Sequence, residues 1–214
     1  MRLKILGLLI GVLFISGCSW RGYINPQEQD FKPVSRYLLG TQNFNNNDLS
    51  QKRLELVEKA LADVQYIFFE NKSFEKIISS SNWVASCDGE EIDKISGEQL
   101  LADLRKLNVK VSIFPKKPWM AIGLTDTANN RIAIDPYRID LANENEVVDS
   151  SWLIDTMAHE ITHLILSENG MVKYRDRGHG KKGCTKNDLA SYRVGKAAQA
   201  AWIHQQLLGA EPAR

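Results

Sequence analysis

The spacing of apolar residues along this chain changes from a helical period to a strand period and back, and that order narrows the possible folds more than any other feature. Leu54, Val57, Leu61, Val64 and Phe68 recur at three- and four-residue intervals, with Glu55, Glu58, Lys59 and Asp63 between them. This pattern predicts an amphipathic helix with one buried stripe. Residues 74–79, after Asn71-Lys72-Ser73, read as a second helical stretch. Ser96 and Gln99 have the spacing of a capping box and open a third, with Leu100, Leu101, Leu104 and Leu107 on one side. Val109, Val111 and Ile113 then alternate with polar residues, 121–124 is a second extended candidate, and 131–135 a third that Pro136 should end. Helical patterns return from residue 152. The order predicts an α+β domain: N-terminal helices, a small, mostly antiparallel sheet, then a long helix and a C-terminal helix.

The N-terminus has a different character. Arg2 and Lys4 precede an apolar run over 5–15, too short to span a bilayer comfortably and followed by small residues, as in a cleaved signal. Ile15-Ser16-Gly17-Cys18 resembles the lipobox of bacterial lipoproteins. The resemblance implies that residues 1–17 are removed and that Cys18, carrying diacyl chains of the palmitate type, becomes the new N-terminus. Buried methylenes then hold the protein at a membrane with no spanning helix. With Ser19 after the cysteine, the same resemblance implies the outer membrane, facing the periplasm. Residues 18–48 read as lipidated N-terminus and tether, because Pro26, Pro33 and Asn43-Phe44-Asn45-Asn46-Asn47-Asp48 carry no sustained period. Residues 49–214 form the expected domain. Without Arg2 and Lys4 the 27 basic residues become 25 against 26 acids, a net charge of −1 that gives no electrostatic case for nucleic acid. With Cys18 acylated, Cys87 and Cys184 are left over, and export predicts that they form a disulfide.

Chemistry concentrates in His159-Glu160-Ile161-Thr162-His163. Asp149-Ser150-Ser151 offers several N-caps, Asn169-Gly170 offers a left-handed stop, and the segment between reads as one helix. Leu153, Met157, Ile161 and Leu164 fall on its core-facing stripe, and His159 and His163 leave a shared face about one turn apart. Two imidazoles so placed can bind one zinc ion at about 2.0–2.1 Å each. Glu160, rotated to the side, can take a proton from a metal-bound water as it attacks a carbonyl. With only 4 histidines in the chain, such a motif arises by chance in about three or four chains per thousand of this composition. From about Trp119 to Ala198 the sequence resembles the zincin metallopeptidases. The resemblance implies that the strand at 131–135 forms the cleft edge, where substrate backbone adds as a strand.

A catalytic zinc takes three protein ligands. Arg177-Gly178-His179-Gly180 is similar to the His-Gly element of SprT-like zincins, which implies His179 as the third. The alternative is Asp188, in a stretch that resembles the second helix of gluzincins. A Cys87–Cys184 disulfide would anchor the His179 loop. His204 reads as a packing or surface residue on the last helix. Lys173, Arg175, Arg177, Lys181, Lys182 and Lys186 form a basic run that reads as a solvated loop or as a contact for acidic substrate. Tyr174 or Tyr192 can donate to an oxyanion, and the sequence does not choose between them.

The expected function is zinc-dependent hydrolysis of peptide bonds at the bacterial cell envelope, with a peptide, protein or peptidoglycan stem as substrate. A noncatalytic envelope lipoprotein holding structural zinc is the alternative, and it predicts a closed site with both His179 and Asp188 bound. A metal-free assembly lipoprotein is a third reading, against which the intact Glu160 argues.

Overall fold

The computed structural model describes residues 31–33, 37–40, 51–87, 93–113, 123–142, 147–176 and 184–208, so the leader, Cys18 and His179 lie outside the described residues. The chain is α+β. Helix α1 (Gln51–Phe69) buries Val57, Leu61, Val64 and Phe68, the stripe its spacing predicts. Helix α2 (Lys72–Ser79) starts where Asn71 Oδ1 accepts from Phe74 N, and α3 (Gly97–Lys106) where Ser96 Oγ accepts from Gln99 N at 3.2 Å. Only half of the capping box forms. The Gln99 side chain turns instead to Asp103, at 2.8 Å.

Two sheets lie among the described residues. Strands β1 (Phe31–Pro33), β2 (Tyr37–Gly40), β5 (Val109–Ile113), β6 (Gly123–Asp126) and β7 (Arg131–Ile134) make the larger, in the order β1-β2-β5-β7-β6. Strands β3 (Asn82–Ser86) and β4 (Asp93–Ser96) form an antiparallel pair of their own. The larger sheet corrects the expectation of a mostly antiparallel one. Its β2–β5 and β5–β7 pairs are parallel, its β1–β2 and β6–β7 pairs antiparallel. The physical reason is in the connections: the β2-to-β5 link carries α1, α2 and α3 and so can return the chain to the same end of the sheet. Strands β1 and β2 also fall inside the stretch read as tether. Three- and four-residue strands, one ending at Pro33, are too short to show an alternation.

The core lies between this sheet and α1, α5 (Val147–Thr162) and α6 (Ala190–Leu208). A short helix α4 (Pro136–Leu141), capped by Asp135 with Pro136 in its first turn, leads from β7 toward α5. Leu153, Met157, Ile161 and Leu164 all face the core, as their spacing predicts. Gly195 lets α6 approach α5 closely, since a Cβ there would strike Asp155 Oδ1 and the Asp155 carbonyl. Among the described residues no helix is long and apolar enough to cross a membrane.

Asp63 is buried against α6 and accepts from Trp202 Nε1 at 2.7 Å. Burial raises its carboxyl above the ordinary value of 3.8, against smaller opposing effects of the Trp202 bond and Lys59. A raised folded value means that the contribution of Asp63 to stability is complete below 3.8 and is lost as pH rises through the folded value. Asp63→Asn is therefore expected to raise the Tm at pH 7, with the gain vanishing as pH falls toward 4. A thermal melt series with a pH-independent difference, or a lower Tm at pH 7, would count against this.

Candidate metal centre

Helix α5 ends sooner than its sequence suggests, and the early stop shapes the site. His163 N, Leu164 N and Ile165 N donate to the carbonyls three residues back, tightening the last turn. The chain then reverses through a hairpin. Ser167 N donates to Met171 O at 2.8 Å, Lys173 N donates to Ile165 O at 2.8 Å, and Gly170 takes φ 76° in the turn. Ser167 Oγ, 2.9 Å from Met171 O, and Asn169 Oδ1, accepting from Met171 N, give the backbone local partners that compete with helix. Gly170 is thus left-handed as expected, but it serves a hairpin and not a helix end.

The returning strand carries the third ligand candidate. His159 Nε2 and His163 Nε2 lie 3.2 Å apart, and Asp176 Oδ2 is 3.0 Å from the first and 3.3 Å from the second. These three residues form the one group of metal-capable side chains among the described residues. A tetrahedral centre with bonds of about 2.0–2.1 Å spaces its ligand atoms roughly 3.3–3.4 Å apart, so the triangle fits a single zinc-sized ion with little adjustment. His163 Nδ1 lies 2.6 Å from Tyr174 O, and a proton donated there leaves the Nε2 lone pair facing the group. Ser191 Oγ donates to Asp176 Oδ1 at 2.5 Å, which leaves Oδ2 facing the two imidazoles. Burial pushes the Asp176 carboxyl up, but hydrogen bonds with His159 and His163 outweigh it and hold the group well below the usual carboxylate range.

Glu160 is buried on the side of α5 that meets β6. Thr125 Oγ1 lies 2.8 Å from Glu160 Oε2 and 3.0 Å from Glu160 O. Gly123 makes room for the carboxylate: a Cβ there would sit 2.5 Å from Glu160 Cγ and 2.9 Å from Oε1. Among the described residues β6 is an outer strand of the sheet, so it, and not 131–135, is the edge beside the motif. Strand β7 is flanked by β5 and β6 and is buried along its whole length. A continuously buried strand is interior, a distinction that a three-strand sequence pattern does not make.

The other residues singled out in the sequence separate cleanly. Asp188 is exposed, and its Oδ2 accepts from Thr185 N at 2.9 Å and Thr185 Oγ1 at 2.7 Å, which closes the turn ahead of α6. Those bonds hold its carboxyl below the usual value, and it does not join the metal-capable group. His204 is exposed on α6. Tyr174 is fully buried with its hydroxyl donating to Asp103 at 2.9 Å, whereas the Tyr192 ring packs edge-on to His159 at 4.7 Å. In the basic run, Lys173 pairs with Asp103 and Arg175 Nε donates to Val172 O, so both have structural partners. Cys87 and Cys184 are joined in a disulfide across 97 residues, which ties Cys184, ahead of α6, to the residue that follows β3. The sequence reading missed Asp176, Thr125 and Gly123. Asn169-Gly170 is the signal that could have found the first: read as a hairpin turn, it brings 172–176 back alongside the helix end. No family model, curated protein or solved structure matches this chain.

Proposed function

We propose that this chain is a zinc-dependent hydrolase, a metallopeptidase of zincin type that is lipid-anchored through Cys18 in the bacterial cell envelope and faces the periplasm. The convergence of His159 Nε2, His163 Nε2 and Asp176 Oδ2 beside a buried Glu160 carries this reading. Three protein donors are the number that catalytic zinc sites use. The commitment of Asp188 to Thr185 speaks against the closed structural site of the noncatalytic alternative.

A zinc ion held by these residues would supply Lewis acidity, lowering the pKa of a water and polarising a carbonyl. The chain's own residues do the rest. Glu160 accepts and returns a proton at its carboxylate, oriented by Thr125. A peptide pairing along the outer side of β6 would run past Glu160, because Gly123 and Thr125 both touch that side chain. Tyr192, packed on His159, is the hydroxyl we assign to the oxyanion.

Quenched casein and peptidoglycan stem peptides, offered to the full chain, test the proposal. Cleavage should disappear on chelation with 1,10-phenanthroline and return with one equivalent of zinc. A protein that binds zinc stoichiometrically yet cleaves neither probe would favour the noncatalytic envelope module.

A further inference from the structure

The buried Asp103 on α3 has no part in the chemistry above, yet it reaches the metal centre in two steps. Its Oδ2 accepts from Tyr174 Oη at 2.9 Å and from Lys173 Nζ at 2.7 Å, and its Oδ1 accepts from Gln99 Nε2 at 2.8 Å. The Tyr174 carbonyl is the acceptor for His163 Nδ1 at 2.6 Å. Two residues later comes Asp176. Residues 173–176 are thus held from several sides: by α3 through Asp103, by β3 through Arg175 N donating to Ala85 O, and by α6 through Ser191.

We propose that Asp103 is a positioning residue of the metal centre, acting through Tyr174 to fix both the His163 acceptor and the approach of Asp176. The inference rests on the zinc reading above. It also gives a role to the helical layer ahead of residue 110, whose sequence matches no known motif. The argument is one of leverage. Tyr174 is fully buried, and its side chain and carbonyl belong to one residue, so the hydroxyl tether limits rotation of the peptide that orients His163. The backbone bonds of Lys173 to Ile165 and of Arg175 to Ala85 do not depend on Asp103. Its loss should therefore loosen peptide 174 without detaching the strand. Partners of metal-bound histidines typically change affinity by about 10–100-fold when removed, and the lower end applies to a residue acting one step further out.

Zinc affinity of the full chain, measured by competition with a chromophoric chelator, tests this, together with the visible spectrum of the cobalt(II) form. Tyr174→Phe and Asp103→Ala should each weaken zinc by about 10-fold and shift the cobalt bands. The double variant should be no weaker than the worse single, because both break one chain of contacts. Asp103→Asn, which keeps an acceptor for Tyr174, should stay within about threefold of wild type. If Tyr174→Phe and Asp103→Ala lower the metal-free Tm but leave zinc affinity and the cobalt spectrum unchanged, Asp103 is structural only and the proposal falls. A wild-type chain that takes up no zinc overturns the hydrolase reading itself, an outcome distinct from the first.

Discussion

Asp176→Ala is expected to reduce bound zinc from about one ion per chain to a trace, while His179→Ala and Asp188→Ala keep it. The size of the effect follows from what the carboxylate does. It supplies one of three converging donors, and it stands between two imidazoles whose nitrogens are 3.2 Å apart. Without it a zinc ion would keep two protein ligands, His159 in the last turn of α5 and His163 just past its end. Affinity should then fall by more than the roughly 10–100-fold seen when only a supporting partner is lost. Asp176→Asn separates charge from shape, because it keeps an oxygen for the ion and a partner for Ser191 but removes the negative charge. It should fall between wild type and alanine. Elemental analysis after gel filtration reads all four variants. Zinc retained in Asp176→Ala but lost in His179→Ala would move the third ligand back to the loop that the sequence first suggested.

His179, which the sequence suggests as a ligand, and Asp176, which the fold brings to the two histidines, differ in how much of the chain is needed to place them. His159 and His163 were legible because one helical turn sets their relation, and no distant part of the chain is needed to place them. Met157 and Ile161 were legible as core for the same reason. Asp176 is 13 residues beyond His163 and reaches it through a hairpin, so its position depends on where α5 stops. That stop is set by competing side-chain bonds of Ser167 and Asn169, each worth too little to read from composition. The sheet tells the same story. The alternation over 109–113 and the run at 131–134 identified β5 and β7, but not that these two pair in parallel while β6, between them in the chain, pairs with the other side of β7. Glu160 stands out in the motif, but Gly123 and Thr125, which pack against its side chain, come from a strand about 35 residues earlier.

Those neighbours set the expectation for the base. Glu160→Gln should hold zinc at the wild-type level and lose hydrolysis by about 1,000-fold, within the 10²–10⁴ range that one positioned acid–base group contributes. The substitution is nearly isosteric and its oxygen can still accept from Thr125, so a stability change does not explain a loss of rate. Gly123→Ala approaches the same group from outside. Its new Cβ would meet Glu160 Cγ, Cδ and Oε1, and because Glu160 is buried the carboxylate cannot swing into solvent without leaving Thr125. A displacement near 1 Å is enough to cost about 100-fold in rate, with zinc retained because no ligand moves. The pair distinguishes two ways for the proposal to be wrong. If Glu160→Gln cleaves as fast as wild type, hydrolysis runs through another base and β6 is not the wall of the site. If Glu160→Gln is inactive but Gly123→Ala is unimpaired, Glu160 is the base, and its working position is not the one held against β6.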